Sequence, residues 1–208
     1  MYRWITDTWN VCKGACPHDC SYCYMKRWGP QKPLRFDEKE LKTDLGSGKF
    51  IFVGSSCDMF AADIPLEWKS KIINRCLDFD NTYLFQTKNP RGIFGWRLPE
   101  KSFVCTTLES DIFYPEIMRQ SPEPFFRSLA MNNFGDNTFV TIEPILDFNL
   151  GNFVRMIRLC HPIQVNIGAD SQKHNLPEPS PEKIRDLIEA LKEFAKVELK
   201  SNLNRLLK

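Results

Sequence analysis

The chain has 208 residues, 42% hydrophobic and 26% charged, which suits one globular domain with a sizeable core and excludes a disordered or fibrous chain. A formal net charge of +2 does not by itself mark a polyanion binder, and no apolar run is long enough to span a bilayer. Met1–Asp7 lacks the apolar core of a secretory signal, so the expected compartment is the cytoplasm, where eight cysteines are not a disulfide framework.

In chain order, residues 8–13 suit a strand, broken by Gly14, and a cysteine-rich loop follows to Tyr24. From Tyr24 to Phe36 the chain carries Lys26, Arg27, Lys32 and Arg35 and no acid, a run that reads first as a solvated face. Asp37 caps a short helix to Leu45, with Glu40 three residues on. Lys49–Val53 is a continuous apolar run of the buried parallel-strand type, ending in Gly54-Ser55-Ser56-Cys57-Asp58.

Pro65 opens an amphipathic helix with Trp68, Ile72, Ile73, Cys76 and Leu77 on one face. Strands are then expected at 83–87, 103–107, 138–142 and 163–168, with helical segments at 115–131 and 153–160 between the later ones. A last helix starts at Pro181, and 197–200 is a short, weaker strand. Strands alternating with helices predict a parallel α/β sheet. Polar residues gather just after the strands, at Ser55, Ser56, Lys88, Thr107, Glu109, Glu143 and Asn166, and in such sheets that edge carries the chemistry.

Cys16, Cys20 and Cys23 stand in a C-x3-C-x2-C array, with Cys12 four residues earlier and His18 inside the loop. Four such ligands can close a structural zinc site, yet zinc knuckles usually staple small domains that lack a core. Three cysteines can instead hold an iron–sulfur cluster with one iron left open, whereas most clusters are closed by four.

Cys16-Pro17-His18-Asp19-Cys20-Ser21-Tyr22-Cys23 resembles the signature of the radical S-adenosylmethionine superfamily, in spacing and in the aromatic residue before the last cysteine. Phe52–Phe60, Gln86–Pro90, Thr107–Glu109 and Ile142–Leu146 are similar to an often phage-associated branch related to spore photoproduct lyase, a DNA repair enzyme. The resemblance implies a partial (β/α)6 TIM-like barrel of parallel strands in a single domain over 1–208. The cluster loop is then 12–24, and the closing helix and strand are 181–208. It implies a [4Fe–4S] cluster on Cys16, Cys20 and Cys23, with S-adenosylmethionine chelating the open iron. Reductive cleavage then gives a 5′-deoxyadenosyl radical that abstracts hydrogen from a substrate, and a one-electron reductant such as flavodoxin or ferredoxin is needed.

On that reading Tyr22 approaches the adenine, or simply packs on the barrel rim. Gly54, Ser55 and Ser56 stand where the superfamily binds the methionine amino group; alone they read as a strand-ending turn. Asp58 is an anionic partner for that group or a helix cap. Lys88 pairs with the methionine carboxylate, and Thr106 or Thr107 meets the ribose. Glu109 and Glu143 are cofactor or substrate ligands, or structural ion pairs, since a carboxylate ending an apolar strand needs a donor or cation. Asn166 and Lys200 are weaker candidates of the same kind. Cys57 is a hydrogen donor to a product radical, or a small buried residue. Cys12, Cys76, Cys105 and Cys160 read as core.

The substrate is expected to be a nucleobase, nucleotide or nucleic acid. An unrelated small molecule or peptide is the alternative within the enzyme class. A zinc-stapled binding module without catalysis is the alternative outside it.

Overall fold

The computed structural model describes residues 2–208. Seven parallel strands form one open sheet: β1 (Asp7–Trp9), β4 (Phe50–Val53), β5 (Thr82–Thr87), β6 (Ser102–Thr107), β7 (Thr138–Ile142), β8 (Pro162–Ile167) and β9 (Lys196–Leu199), in that order. β2 (Cys12–Lys13) and β3 (Arg35–Phe36) form a separate antiparallel clip. The helices are α1 (Glu38–Leu41), α2 (Leu66–Leu77), α3 (Pro115–Met118), α4 (Pro124–Met131), α5 (Leu150–Arg158) and α6 (Pro181–Lys192). The molecule is a mixed α/β single domain whose sheet is a partial TIM-like barrel.

The central strands β5 to β8 are buried on both faces, as a covered parallel sheet requires, while the edge strands β1 and β9 stay partly exposed. On one face Ile51, Val53, Tyr83, Phe85, Val104, Val140, Ile142, Val165 and Ile167 join the large core beneath α2, α5 and α6. The inner face has a smaller aromatic cluster, in which the Trp4 ring lies 4.6 Å from Phe50 and 5.1 Å from Phe139, while Phe103 stacks on Phe139 at 4.9 Å. The N-terminal residues Tyr2–Ile5 thus pack against that inner face ahead of β1.

Four local readings need correction. The run 8–13 is two strands of different sheets, because the chain leaves β1 at Asn10 and turns into the clip. The helical region 115–131 is two helices separated around Pro122, since proline interrupts the amide ladder and Arg119 takes φ +50°. The helix capped by Asp37 ends at Leu41, with Asp37 accepting from the Lys39 and Glu40 amides. On α2 Leu77 is exposed, and the inward position goes to Lys69, whose Nζ donates to the Ala61 carbonyl at 3.3 Å. The short strand at 196–199 pairs with β8 and completes the sheet.

Candidate active site

The cysteine loop is held at its base by the clip. Gly14 has φ +101°, and a Cβ there would come within 2.4 Å of the Pro33 carbonyl oxygen, so only glycine lets the two passes of chain close. Successive turns follow, with the Asp19 amide donating to Cys16 O (3.0 Å), Cys23 to Cys20 O (3.2 Å) and Lys26 to Cys23 O (2.9 Å). The outer side is tethered to α3 by Ser21 N to Ile117 O (2.9 Å) and by an Arg119–Asp19 ion pair of 2.5 Å.

Cys16, Cys20 and Cys23 are all unpaired thiols, Cys20 buried and the others half-buried. Hydrogen bonding from the Cys57 thiol, against the opposing effect of burial, holds the Cys16 thiol below its ordinary range. Burial pushes Cys20 and Cys23 up. Among the described residues no three His, Cys, Asp or Glu side chains converge to hold a single metal ion. In a cubane cluster each thiolate holds its own iron, so three cysteines spread along one loop suit that group. Cys12, by contrast, is buried within the clip opposite Phe36.

Beneath the loop, Asp58 joins three segments. Its Oδ2 meets His18 Nε2 at 2.8 Å and accepts from Thr87 Oγ1 (2.9 Å) and the Lys88 amide (2.8 Å), while Oδ1 takes the Phe60 amide (2.9 Å). Burial raises the Asp58 pKa, but His18 and these donors outweigh it and keep the carboxyl low. Beside it, Asn10 Oδ1 accepts from Ser55 Oγ (3.2 Å), Ser56 N (2.8 Å) and Ser56 Oγ (3.0 Å), and the Tyr24 hydroxyl donates to Ser55 O at 2.9 Å. Gly54, at φ +75°, lets the chain turn there.

The strongest electrostatic group lies after β5 and β6. Glu109 is fully buried; Lys88 Nζ donates to its Oε1 at 2.9 Å, Arg127 Nη1 to its Oε2 at 2.7 Å, and the Tyr22 hydroxyl also donates to Oε1. Burial pushes the carboxyl up, yet Arg127 and Lys88 prevail and hold it at about 2. Two cations thus face one carboxylate, leaving a surplus positive charge beside the cysteines. Lys88 Nζ also stands 5.2 Å from the Tyr22 ring centroid.

Sequence reasoning missed Arg127, because it sits in a helix whose neighbours Phe125, Phe126 and Leu129 point outward. It also left His18 as a spare. The signal for Arg127 was a lone cation in an apolar stretch, which needs a buried anion if it faces inward.

Thr107 lies on the inner face, where Gln86 Nε2 donates to its hydroxyl at 3.2 Å. Thr106 faces the other way and donates to Thr87 O at 2.9 Å. Glu143 belongs to a separate network, paired with Lys200 and accepting from Asn202 Nδ2 at 3.1 Å. Between the two groups, Thr141 and Asn166 are paired across β7 and β8. Thr141 Oγ1 and Asn166 Nδ2 are buried without a hydrogen-bond partner; Tyr2 lies near Thr141 but does not meet it in bonding geometry.

This fold resembles that of spore photoproduct lyase. The match is to a structure of spore photoproduct lyase complexed with dinucleoside spore photoproduct. It has a TM-score of 0.65 over 93% of this chain and 76% of that chain, at 11% identity. The likeness is one of fold. No family model matches the sequence, nor does any curated protein.

Proposed function

We propose that this protein is a radical S-adenosylmethionine enzyme. The observation that carries the reading is the set of three unpaired thiols, Cys16, Cys20 and Cys23, on one loop at the C-terminal edge of a parallel partial barrel. A bound [4Fe–4S] cluster there supplies the electron that cleaves S-adenosylmethionine into methionine and a hydrogen-abstracting 5′-deoxyadenosyl radical.

The chain's own residues then divide the work. Cys16, Cys20 and Cys23 hold the cluster, and the surplus charge of Lys88 and Arg127 over Glu109 offsets its thiolates. Lys88 takes the methionine carboxylate; Arg127 neutralises Glu109 and frees Lys88 for that second anion. Gly54, Ser55 and Ser56 place backbone and hydroxyl oxygens near the amino group, Asn10 fixing their turn. Tyr22 and Thr107 flank the adenosine.

The substrate lies on the inner face, where Thr141 Oγ1 and Asn166 Nδ2 want partners and Glu143–Lys200 closes the far side. Neutral donor and acceptor groups of this kind suit a nucleobase or nucleotide. Cys57, 2% exposed and packed in the large core on the other face of the sheet, takes the second of its two readings, a small buried residue.

The test is anaerobic turnover with a chemical reductant. Wild-type protein forms 5′-deoxyadenosine from S-adenosylmethionine; Cys20→Ala loses both iron and turnover, while Cys57→Ser keeps its iron. Cluster-loaded protein that leaves S-adenosylmethionine intact, with and without nucleotides, would refute the proposal.

A further inference from the structure

The segment Tyr2–Ile5 does more than fill space on the inner face of the sheet. Trp4 sits toward the strand starts, against Phe50 and Phe139, and the Tyr2 ring stacks on it at 5.0 Å with 11° between the planes. Tyr2 itself is buried and packs with Leu84, Cys105 and Phe139. The strand register puts Gln86 level with Cys105, and Thr107 and Thr141 one inward-facing position further along. Tyr2 is therefore the boundary between an apolar floor and the polar row formed by Thr107, Thr141 and Asn166.

A chain of hydrogen bonds crosses that boundary. The Tyr2 hydroxyl donates to Gln86 Oε1 at 2.8 Å, and Gln86 Nε2 donates to Thr107 Oγ1 at 3.2 Å. Its direction has a chemical cause. A phenol is a stronger donor and a weaker acceptor than an aliphatic hydroxyl, so the amide turns its oxygen to Tyr2 and its nitrogen to Thr107. The Cys105 thiol, 3.9 Å from the Tyr2 hydroxyl, has its own acceptor in Thr106 O at 3.8 Å. Thr107 accepts from Gln86, so its own proton is directed elsewhere, and no described residue takes it.

We propose that Tyr2 is a positioning residue for the cofactor: acting through Gln86, it makes Thr107 a hydrogen-bond donor to the adenosine. The proposal rests on the radical-enzyme reading above, in which Thr107 flanks that group. The Tyr2 ring has a separate task. Lys200 Nζ stands 4.8 Å from its centroid, so the ring also steadies the Lys200–Glu143 pair on the far side. Tyr2→Phe keeps that ring and isolates the hydroxyl.

The test is a double-mutant cycle on cluster-loaded protein. Binding of S-adenosylmethionine is measured by calorimetry with the cluster oxidised, so that no cleavage occurs. Tyr2→Phe removes the hydroxyl, and Thr107→Val removes the group that it orients. The expected result is roughly threefold to tenfold weaker binding for each single variant. The double variant binds no more weakly than Thr107→Val alone, and iron content stays at the wild-type level. A second readout needs no cofactor: the Gln86 side-chain amide protons, followed by NMR, exchange with solvent several-fold faster in Tyr2→Phe than in wild type.

A Tyr2→Phe protein that binds S-adenosylmethionine as tightly as wild type overturns the proposal. So do losses that add in full in the double variant, which would make Tyr2 a structural residue acting by another route. Unchanged exchange of the Gln86 amide overturns it as well. A wild-type protein that takes up iron yet binds no S-adenosylmethionine refutes the enzyme reading instead, while the amide exchange still decides whether Tyr2 holds Gln86.

Discussion

At the scale of single residues, the Glu109 network governs both stability and charge at the site. Arg127 and Glu109 are both fully buried, so removing one leaves the other's charge without compensation. Arg127→Met is expected to cost roughly 3–5 kcal/mol in urea unfolding, and Arg127→Met with Glu109→Gln distinctly less. A loss below about 1 kcal/mol for the single variant would contradict the network. The same carboxylate sets an acid limit. Its folded pKa is depressed from an ordinary 4.5 to about 2, so its contribution is complete above 4.5 and disappears as pH falls toward 2. Wild type should lose more stability across that window than Glu109→Gln. Equal losses would show that Glu109 is not responsible.

At the scale of elements, α4 tests how far burial decides tolerance. Phe126 is 59% exposed, whereas its neighbour Arg127 has no exposed surface. Phe126→Lys should therefore change stability by less than about 0.5 kcal/mol. A cost near that of Arg127→Met would mean the helix is turned the other way. The turn after β4 makes a second test. A Cβ on Gly54 would lie 3.0 Å from Cys57 O at φ +75°, so Gly54→Ala should cost roughly 1–3 kcal/mol by denaturant midpoint. A neutral Gly54→Ala would remove the reason for glycine there.

These elements also show what the sequence could reveal. The apolar runs at 49–53, 83–87, 103–107, 138–142 and 163–168 announced the parallel strands, because strands buried on both faces leave a continuous hydrophobic trace. The choice between Thr106 and Thr107 could not be made there, since both are buried and only the neighbouring strands show which face is inner. Lys88 and Glu109 were each visible as polar strand ends. Their pairing was not, because 21 residues and a strand crossing separate them. Arg127 stayed hidden for a related reason: α4 turns its polar residues inward, against the usual amphipathic pattern.

At the scale of the whole molecule, the open sheet carries two polar regions along its edge. The cysteine loop with Lys88 and Glu109 stands over β4–β6, and the Glu143–Lys200 pair over β7–β9. The central claim is that only three cysteines hold the cluster, so that one iron remains open. Electron paramagnetic resonance of the reduced, reconstituted protein, with and without S-adenosylmethionine, tests this most directly. The account predicts a [4Fe–4S] signal that changes when S-adenosylmethionine is added. A signal that does not respond, or a colourless protein holding zinc in place of iron, would contradict it.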